Sequence, residues 1–284
     1  MNTTPTAAGS GSTYVLGHED VEVQRLLLQG RLYNDYTEHA LRLAGLRPGM
    51  RVLDVGCGPG DVSFVAAGLV GPTGTVLGVD AAPAMIELAR ARAAEKGLSA
   101  VHFTQAAIDA IALDEPVDAV IGRLILMHLP DPAATLRHLS SFVRPDGVIA
   151  FSENDITETR STPDMPLFGH VTRGIVRAFE AMGLSPRFGT TLHTIFVDAG
   201  LGAPQLTLGA PIGTAADTDI LAYAAEVWRL VCTIAQQLGF EMGPAIDELA
   251  DIDEFVPRFR QEALAVNALI TMPPIITAWA QVQK

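Results

Sequence analysis

The chain has 284 residues, of which 49% are hydrophobic and 18% charged, so it can bury a large core and a mainly disordered chain is excluded. Lys and Arg number 19 against 32 Asp and Glu, and the formal charge is -13 at pH 7. This charge repels a phosphate backbone, so we expect no nucleic-acid partner.

The cysteines and the apolar segments predict the compartment. Cys57 and Cys232 are the only cysteines and neither lies in a CxxC pair, so we expect a reduced, cytoplasmic protein with no disulfide framework and no metal site. Residues 1–13 are polar and lack a basic start, which predicts a flexible tail rather than a signal peptide. The apolar segment 269–280 is short and contains two prolines, so no membrane span is expected.

Apolar periodicity and turn residues predict alternating strands and helices up to residue 152. Helical spacing over 19–46 predicts one or two helices ahead of the first strand. Predicted strands then alternate with predicted helices, the strands at 51–56, 75–79, 101–104, 117–121 and 148–152, the helices at 61–70, 83–96 and 133–143. A turn is expected at 144–147. This alternation is typical of a mainly parallel sheet covered by helices on both faces.

The rhythm changes after residue 153. Residues 154–190 contain several prolines and one helical run, which predicts a helical insertion that caps the sheet. Helices are then expected at 192–199, 219–238 and 257–268, and strands at 205–209 and 275–282. We therefore predict a doubly wound, Rossmann-like α/β fold with a seven-stranded sheet. Its predicted parts are a tail and helical lid (1–45), a cofactor-binding core (46–152), a helical cap (153–190) and the remainder of the core with added helices (191–284).

The most informative stretch is a glycine-rich turn between the first predicted strand and its helix. Gly56, Gly58 and Gly60 let the backbone approach a ligand closely, while the helix start offers free amide groups. The dinucleotide fingerprint requires a small residue at position 61, where this chain has Asp61. A carboxylate there repels a pyrophosphate, so we expect a ligand without phosphates.

A second acidic residue suggests what the ligand is. Asp80 is the last residue of the second predicted strand. Its spacing along the sequence from the glycine turn is about that of the acid that binds ribose hydroxyls in doubly wound folds. The two features together indicate a nucleoside that bears an amino-acid-like or cationic group in place of phosphates. S-adenosylmethionine fits that description.

The stretch Val52 to Gly60, VLDVGCGPG, resembles the glycine motif of the class I S-adenosylmethionine-dependent methyltransferases. The likeness continues through Gly78 to Met85, through residues 118–121 with residues 128–131, and through Phe142 to Gly147. It covers about residues 45–152. Beyond residue 153 the chain is similar to this family only in the order of its elements.

The resemblance implies a set of cofactor-binding residues: Asp54, Gly56, Gly58, Gly60, Asp80, Ala81, Met85, Ala107 and Ile108. We add Arg123 to this predicted set. In this set Asp54 and the glycine turn would line the methionine end, Asp80 would bind the ribose, and Ala81 and Met85 would flank the adenine. The family usually has an acid for the adenine amino group where this chain has Ala107, and the amide of Ile108 could bind a ring nitrogen. Arg123 could bind the methionine carboxylate or an acidic acceptor, or pair with Asp131.

Methyl transfer from a sulfonium needs no metal and no covalent enzyme intermediate, so catalysis consists chiefly of placement and exclusion of water. His128 and Glu153 follow the fourth and fifth predicted strands, at the edge where ligands bind in such sheets. We predict each as a catalytic base or orienting group. The alternatives are that His128 only orients its loop and that Glu153 is a solvated acid.

Tyr14 and His18 precede the core and complete the predicted catalytic set. They suggest a lid in which Tyr14 covers the sulfonium by a cation–π contact and His18 faces the acceptor. The alternative is a helix cap led by Asp20. Gln29 and Tyr33 on the next helix could line the same cavity.

The C-terminal half carries many aromatic and methionine residues, most of which we expect in the core. The rest would line a pocket for a small, flat, aromatic or heteroaromatic acceptor of the natural-product type, methylated at oxygen, nitrogen or ring carbon. Two other functions stay open: a nicotinamide-dependent oxidoreductase, which Asp61 and the lack of a Tyr-x-x-x-Lys pair oppose, and a non-catalytic ligand-binding protein. Long C-terminal helices with apolar surface are compatible with a homodimer.

Overall fold

A computed structural model describes residues 19–239 and 252–283. The predicted lid residues Tyr14 and His18 lie outside the described residues. The first half contains α1 (Glu19–Leu43), β1 (Arg51–Val55), α2 (Asp61–Val70), β2 (Thr75–Asp80), α3 (Pro83–Glu95), β3 (Val101–Gln105), β4 (Val117–Arg123), α4 (Pro132–Ser140) and β5 (Val143–Asn154).

The second half adds strands on both sides of the cap helices. It contains β6 (Arg160–Thr162), α5 (Pro166–Ala181), α6 (Leu192–Asp198), β7 (Gln205–Gly209), β8 (Ile212–Gly213), α7 (Thr218–Leu238), α8 (Ile252–Val266), β9 (Leu269–Thr271) and β10 (Ile275–Gln281). Short 3-10 helices lie at Ile108–Ala110, Leu126–His128, Ile156–Glu158 and Phe188–Thr191.

The main sheet has seven strands in the order β3-β2-β1-β4-β5-β10-β7. β1 to β5 run parallel, and β10 runs antiparallel to both β5 and β7. The predicted fold class is therefore confirmed. The strand order reverses between β1 and β4, and ligands of open α/β sheets bind at such a reversal, outside the carboxyl ends of the strands.

The central strands of the sheet are buried on both faces because their residues are continuously apolar. Val52 and Leu53, adjacent on β1, are both fully buried, as expected for a strand covered by helices on each side. Val52 packs in a core with α2 and α3, whereas Leu53 packs in a core with α4 and α6. Because β1, β2, β4 and β5 run parallel, their carboxyl ends lie at one edge of the sheet. Asp80, Arg123 and Glu153 lie at this edge.

Some elements differ from the predictions. The turn predicted at 144–147 lies within β5, where Val143 pairs with Val117 and Val148 pairs with Ala119, so it forms a bulge and not a break. Helix α8 begins at Ile252 and contains Pro257. A second, antiparallel sheet in the order β6-β9-β8 was not predicted, because its strands are two or three residues long.

Helix α5 of the predicted cap shares a core with α7 and α8, and these three are called the cap helices. Aromatic rings from α5, α7 and α8 stack in a row, with centroid distances of 5.2 Å for Phe168 and Phe259, 5.5 Å for Phe259 and Phe255, and 6.3 Å for Phe255 and Trp228. Leu28 and Tyr33 of α1 belong to the same core. Among the described helices none is both long and apolar enough to cross a membrane.

Candidate functional site

The glycine turn after β1 has the backbone that its sequence predicts. Gly56, Gly58 and Gly60 have φ values of 67°, 50° and 92°, a region that disfavours other residues. A Cβ on Gly56 would lie 2.6 Å from Cγ1 of Ile125, whereas the nearest atom to a Cβ on Gly58 is Cδ1 of Leu26 at 3.9 Å. Gly56 is thus needed for packing, and Gly58 leaves room beside its backbone.

Asp80 ties the end of β2 to this turn. Its Oδ2 accepts a hydrogen bond of 2.9 Å from the amide of Gly58, and its Oδ1 accepts one of 2.9 Å from the amide of Ala82. The side chain is half-buried. Each carboxylate oxygen can accept a further hydrogen bond, so Asp80 has the remaining capacity that a ribose diol requires.

Asp54 is a buried carboxyl with one oxygen that has no partner. Oδ2 accepts a 2.6 Å hydrogen bond from the hydroxyl of Ser63, and Oδ1 has no hydrogen-bond partner. Burial raises the pKa of Asp54 to about 7, opposed by the bond from Ser63. An orphaned acceptor beside the glycine turn fits a cationic ligand group such as the ammonium of S-adenosylmethionine.

The predicted adenine contacts lie where β2 and β3 end. The amide of Ala106 donates to the carbonyl of Asp80 at 3.0 Å, and Nε2 of Gln105 donates to the carbonyl of Ala81 at 3.3 Å. Ala81 and Ala107 are exposed at this edge and Met85 is buried. Ile108, half-buried, begins the 3-10 helix that follows.

The start of α2 is held by an arginine that sequence reasoning missed. Arg92 on α3 pairs with both oxygens of Asp61, at 2.8 and 3.0 Å, and donates to the carbonyl of Pro59 at 2.5 Å. A Cβ on Gly30 would lie 2.6 Å from Oδ1 of Asp61, so α1 packs closely over this helix start. The expected repulsion of a pyrophosphate by Asp61 is reduced by this ion pair. No local signal marks Arg92, because its partners are remote in sequence.

The first turns of α1 lie near the glycine turn and near His128. Glu22 is buried and pairs with Arg25 at 2.7 Å, one turn before Leu26 reaches Gly58. Burial lowers the pKa of the half-buried His128, and Arg25 lowers it further while Glu22 opposes this. His128 is therefore mainly neutral at pH 7, the state in which an imidazole can accept a proton.

Arg123, at the end of β4, is directed toward α1. It donates to Oδ1 of Asn34 at 3.1 Å and to the hydroxyl of Thr37 at 2.9 Å. Asp131, its alternative partner in the sequence, instead caps α4 by accepting from the amide of Ala134 at 2.8 Å. These bonds make Arg123 an anchor for α1.

The position of Glu153 excludes one of the two interpretations of the sequence. Its side chain is fully buried, so the interpretation as a solvated acid is wrong. Oε1 accepts hydrogen bonds from the amides of Ile125 at 3.0 Å and Leu126 at 2.8 Å, and Oε2 has no partner. Burial raises the pKa of Glu153 to about 8, against the effect of these amides.

α1 also connects the turn to the cap. Nε2 of Gln29 donates to the hydroxyl of Tyr223 on α7 at 3.1 Å, and Tyr33 donates to the carbonyl of Pro273 at 2.9 Å. Arg31 pairs with Asp219 at 2.8 Å at the start of α7. Gln29 and Tyr33, predicted to line a cavity, are both buried and join α1 to α7 and to the loop before β10 through polar contacts.

Known proteins resemble this chain in sequence. A family model described as a methyltransferase domain matches residues 46–180. The ubiquinone/menaquinone biosynthesis C-methyltransferase of Ectopseudomonas mendocina is 30% identical over 188 residues, which cover 61% of this chain and 73% of that protein. The nocamycin O-methyltransferase of Saccharothrix syringae is 39% identical over 113 residues, which cover 39% of this chain and 40% of that protein. Several other relatives are matched over less than half of their length.

A solved structure shares the fold. The geranyl diphosphate C-methyltransferase of Streptomyces coelicolor, determined with S-adenosyl-L-homocysteine, is 16% identical and has a TM-score of 0.51 over 89% of this chain and 80% of that one. At this identity the likeness concerns the fold alone.

Proposed function

Because this chain belongs to the class I S-adenosylmethionine-dependent methyltransferases, we propose that it methylates a small, flat, aromatic or heteroaromatic acceptor. The family, the enzyme class and the cofactor predicted from the sequence are confirmed. Family membership opposes the nicotinamide-dependent alternative, and turnover with an acceptor would exclude the non-catalytic one. What the proposal adds is the class of acceptor and the roles of individual residues.

The cofactor supplies an electrophilic methyl group on a sulfonium. In our proposal Asp54 accepts from its ammonium group through the oxygen that has no partner, Gly58 offers its open backbone, and Asp80 accepts from the ribose hydroxyls. Ala81, Met85, Ala107 and Ile108 form the adenine end. Gly56 and Gly60 shape the turn, and Arg123 acts by holding α1 in place.

The observation that carries the acceptor class is the contact between Gln29 and Tyr223. It joins α1, which lies over the glycine turn, to a cap whose core is rich in aromatic rings. Gln29 and Tyr223 are buried and in direct contact, so in our proposal an acceptor enters when α1 and α7 separate here. It would then meet mainly apolar and aromatic surface, which favours a flat ring system such as an indole.

His128 is the proposed base or orienting group for this acceptor. It follows β4 at the carboxyl edge of the sheet, and burial keeps the pKa of His128 below its ordinary value. Neutral imidazole could accept the proton that leaves an attacking hydroxyl, amine or ring N–H. Tyr14 and His18 keep their proposed role as a lid.

The named relatives support a small organic acceptor. One acts in ubiquinone and menaquinone biosynthesis at carbon, and another methylates at oxygen and is named for nocamycin. We extend this to an acceptor of secondary metabolism, methylated at oxygen, nitrogen or ring carbon. The proposal also includes a cytoplasmic enzyme without a nucleic-acid partner, compatible with a homodimer, with 46–152 as cofactor core and 153–190 as cap.

Calorimetric titration with S-adenosylmethionine and, separately, with NADH is the first test. We expect micromolar binding of the sulfonium and none of NADH. A panel of indoles, phenols and aliphatic alcohols and amines is then assayed for S-adenosylhomocysteine release. Turnover confined to aliphatic acceptors would overturn the acceptor class.

A pair of histidine variants tests the proposed role of His128. His128→Gln should lower turnover with little change in cofactor affinity, because a general base contributes about 100-fold or more to a rate. His138→Gln, which changes an exposed histidine on α4, is the matched control and should be near wild type. Equal turnover of the two variants would remove His128 from the mechanism.

A further inference from the structure

The loop after β4 is held in a backbone conformation that needs support. Leu124 has a φ of 56°, a left-handed value that costs a branched residue about 1–2 kcal/mol. Its amide donates to the carbonyl of Ser152 on β5 at 2.8 Å. The 3-10 helix Leu126–His128 begins two residues later. A strained connection of this kind persists only where its surroundings hold it.

Glu153 on β5 stabilises the start of this 3-10 helix. Its Oε1 accepts hydrogen bonds from the amides of Ile125 and Leu126, which are the first donors of the 3-10 helix. These donors have no partner within the helix, so an acceptor from outside it stabilises the start. Glu153 follows Phe151 by two residues on β5, so the two side chains lie on the same face of the sheet. Phe151 belongs to the core formed with α4 and α6.

The loop in turn contacts the glycine turn. The side chain of Ile125 occupies the place where any Cβ on Gly56 would stand, 2.6 Å from Cγ1. The next residues lead directly to His128, whose amide donates to the carbonyl of Ile125 at 3.1 Å. Oε1 of Glu153 is therefore linked, through Ile125, to both the glycine turn and His128.

We propose that Glu153 is a positioning residue that sets the loop Leu124–His128, so that Ile125 packs against Gly56 and His128 stands at the cofactor edge. The part concerning His128 rests on the proposed function, whereas the part concerning the glycine turn does not. Glu153 acts through the backbone of its neighbours and touches neither cofactor nor acceptor. Of the two roles that the sequence suggested for Glu153, this is the orienting one and not that of a catalytic base.

Two substitutions separate positioning from direct chemistry. Glu153→Gln keeps an oxygen that can accept from both amides, and Glu153→Leu removes it at similar volume. Thr277→Val is the matched control, since it breaks another buried polar contact of the sheet, the 2.8 Å bond between the hydroxyls of Ser152 and Thr277. All three proteins are compared with wild type without any acceptor.

The readouts are the affinity for S-adenosylhomocysteine by calorimetry and the pKa of His128 by NMR, assigned with His128→Gln. We expect Glu153→Gln and Thr277→Val to stay within about twofold of wild type in affinity, whereas Glu153→Leu should lose about tenfold, as for one hydrogen bond to a charged or polar group. In Glu153→Leu the pKa of His128 should rise toward its ordinary value, because a displaced loop exposes the ring.

Wild-type affinity and an unchanged His128 pKa in folded Glu153→Leu would overturn the proposal. So would a large loss of affinity in Glu153→Gln, which would indicate that the carboxylate itself faces the ligand. If Glu153→Leu does not fold, hydrogen exchange of the amides of Ile125 and Leu126 decides. Protection in both wild type and Glu153→Gln supports the proposal, and rapid exchange in wild type contradicts it. None of these results depends on which acceptor is methylated.

Discussion

Asp80 accepts a hydrogen bond of 2.9 Å from the amide of Gly58, and this bond joins the end of β2 to the turn after β1. The same carboxylate also accepts from the amide of Ala82 at the start of α3. The ends of β1 and β2, which flank the proposed nucleoside site, are therefore fixed to each other by the residue proposed to bind the ribose. In our proposal Asp80 therefore both holds the glycine turn in place and binds the ribose.

Asp80→Ala should accordingly weaken S-adenosylmethionine binding by roughly tenfold or more, since each hydrogen bond to a charged group contributes about 1.5–3 kcal/mol. It should also lower the unfolding midpoint, because the turn loses its anchor. Calorimetry and thermal unfolding measure the two effects. Asp114→Ala, an exposed acid on the loop before β4, serves as the control, and equal affinities would remove Asp80 from the site.

Gly58→Ala is expected to act in two separable ways. A φ of 50° strains an alanine by about 1–2 kcal/mol, and the new methyl group would stand in the open space proposed for the ligand. Gly97→Ala provides the comparison, because Gly97 has a φ of 68° with open space around its Cβ position and follows α3. Both variants should lose similar stability in urea titrations, and only Gly58→Ala should lose cofactor affinity. Equal affinity in the two would place the ligand elsewhere.

Cofactor binding should depend on pH through Asp54. Burial raises the pKa of Asp54 to about 7, so the carboxyl is protonated at pH 5.5 and increasingly ionised at pH 7.5. An ionised carboxylate attracts the ammonium group, so affinity for S-adenosylmethionine should rise over this range and be nearly flat in Asp54→Asn. Ser63→Ala removes the 2.6 Å bond that favours ionisation and should move the rise to higher pH. Identical profiles in wild type and Asp54→Asn would refute this role.

Stability should fall with pH through Glu153. The pKa of Glu153 is about 8 in the folded protein and near its ordinary value of about 4.3 in the unfolded chain. The folded state therefore holds a proton that the unfolded state has lost, and its contribution, fully present below pH 4, is lost as pH rises to about 8. The slope is at most about 1.4 kcal/mol per pH unit.

Glu153→Gln lacks this proton. Its free energy of unfolding, relative to wild type, should increase between pH 5.5 and 8.5 by an amount on the order of a few kcal/mol at most. Urea unfolding of both proteins at three pH values measures the difference, in which other carboxyl groups cancel. A constant difference would mean that Glu153 is ionised in the folded protein at pH 5.5.

The amino-acid sequence by itself determined the succession of the strands of the main sheet along the chain and the backbone of the glycine turn. Apolar runs predict β1, β2, β4 and β5 because a strand covered on both faces is mostly apolar, and alternation of apolar and polar residues predicts the edge strand β3. Gly56, Gly58 and Gly60 are readable for the same kind of reason, since positive φ angles select glycine locally. Both signals lie within a few consecutive residues.

Only the tertiary structure decided the direction of the polar side chains at the sheet edge. Glu153 and Arg123 both stand where strands end, yet one binds the amides of a loop 28 residues away and the other binds Asn34 on α1. The contact of Ile125 with Gly56 and the clamp of Arg92 on Asp61 likewise join distant parts of the chain. The physical reason is that burial makes each polar atom seek whatever partner the packing brings near, and packing between distant segments leaves no periodic trace in the sequence.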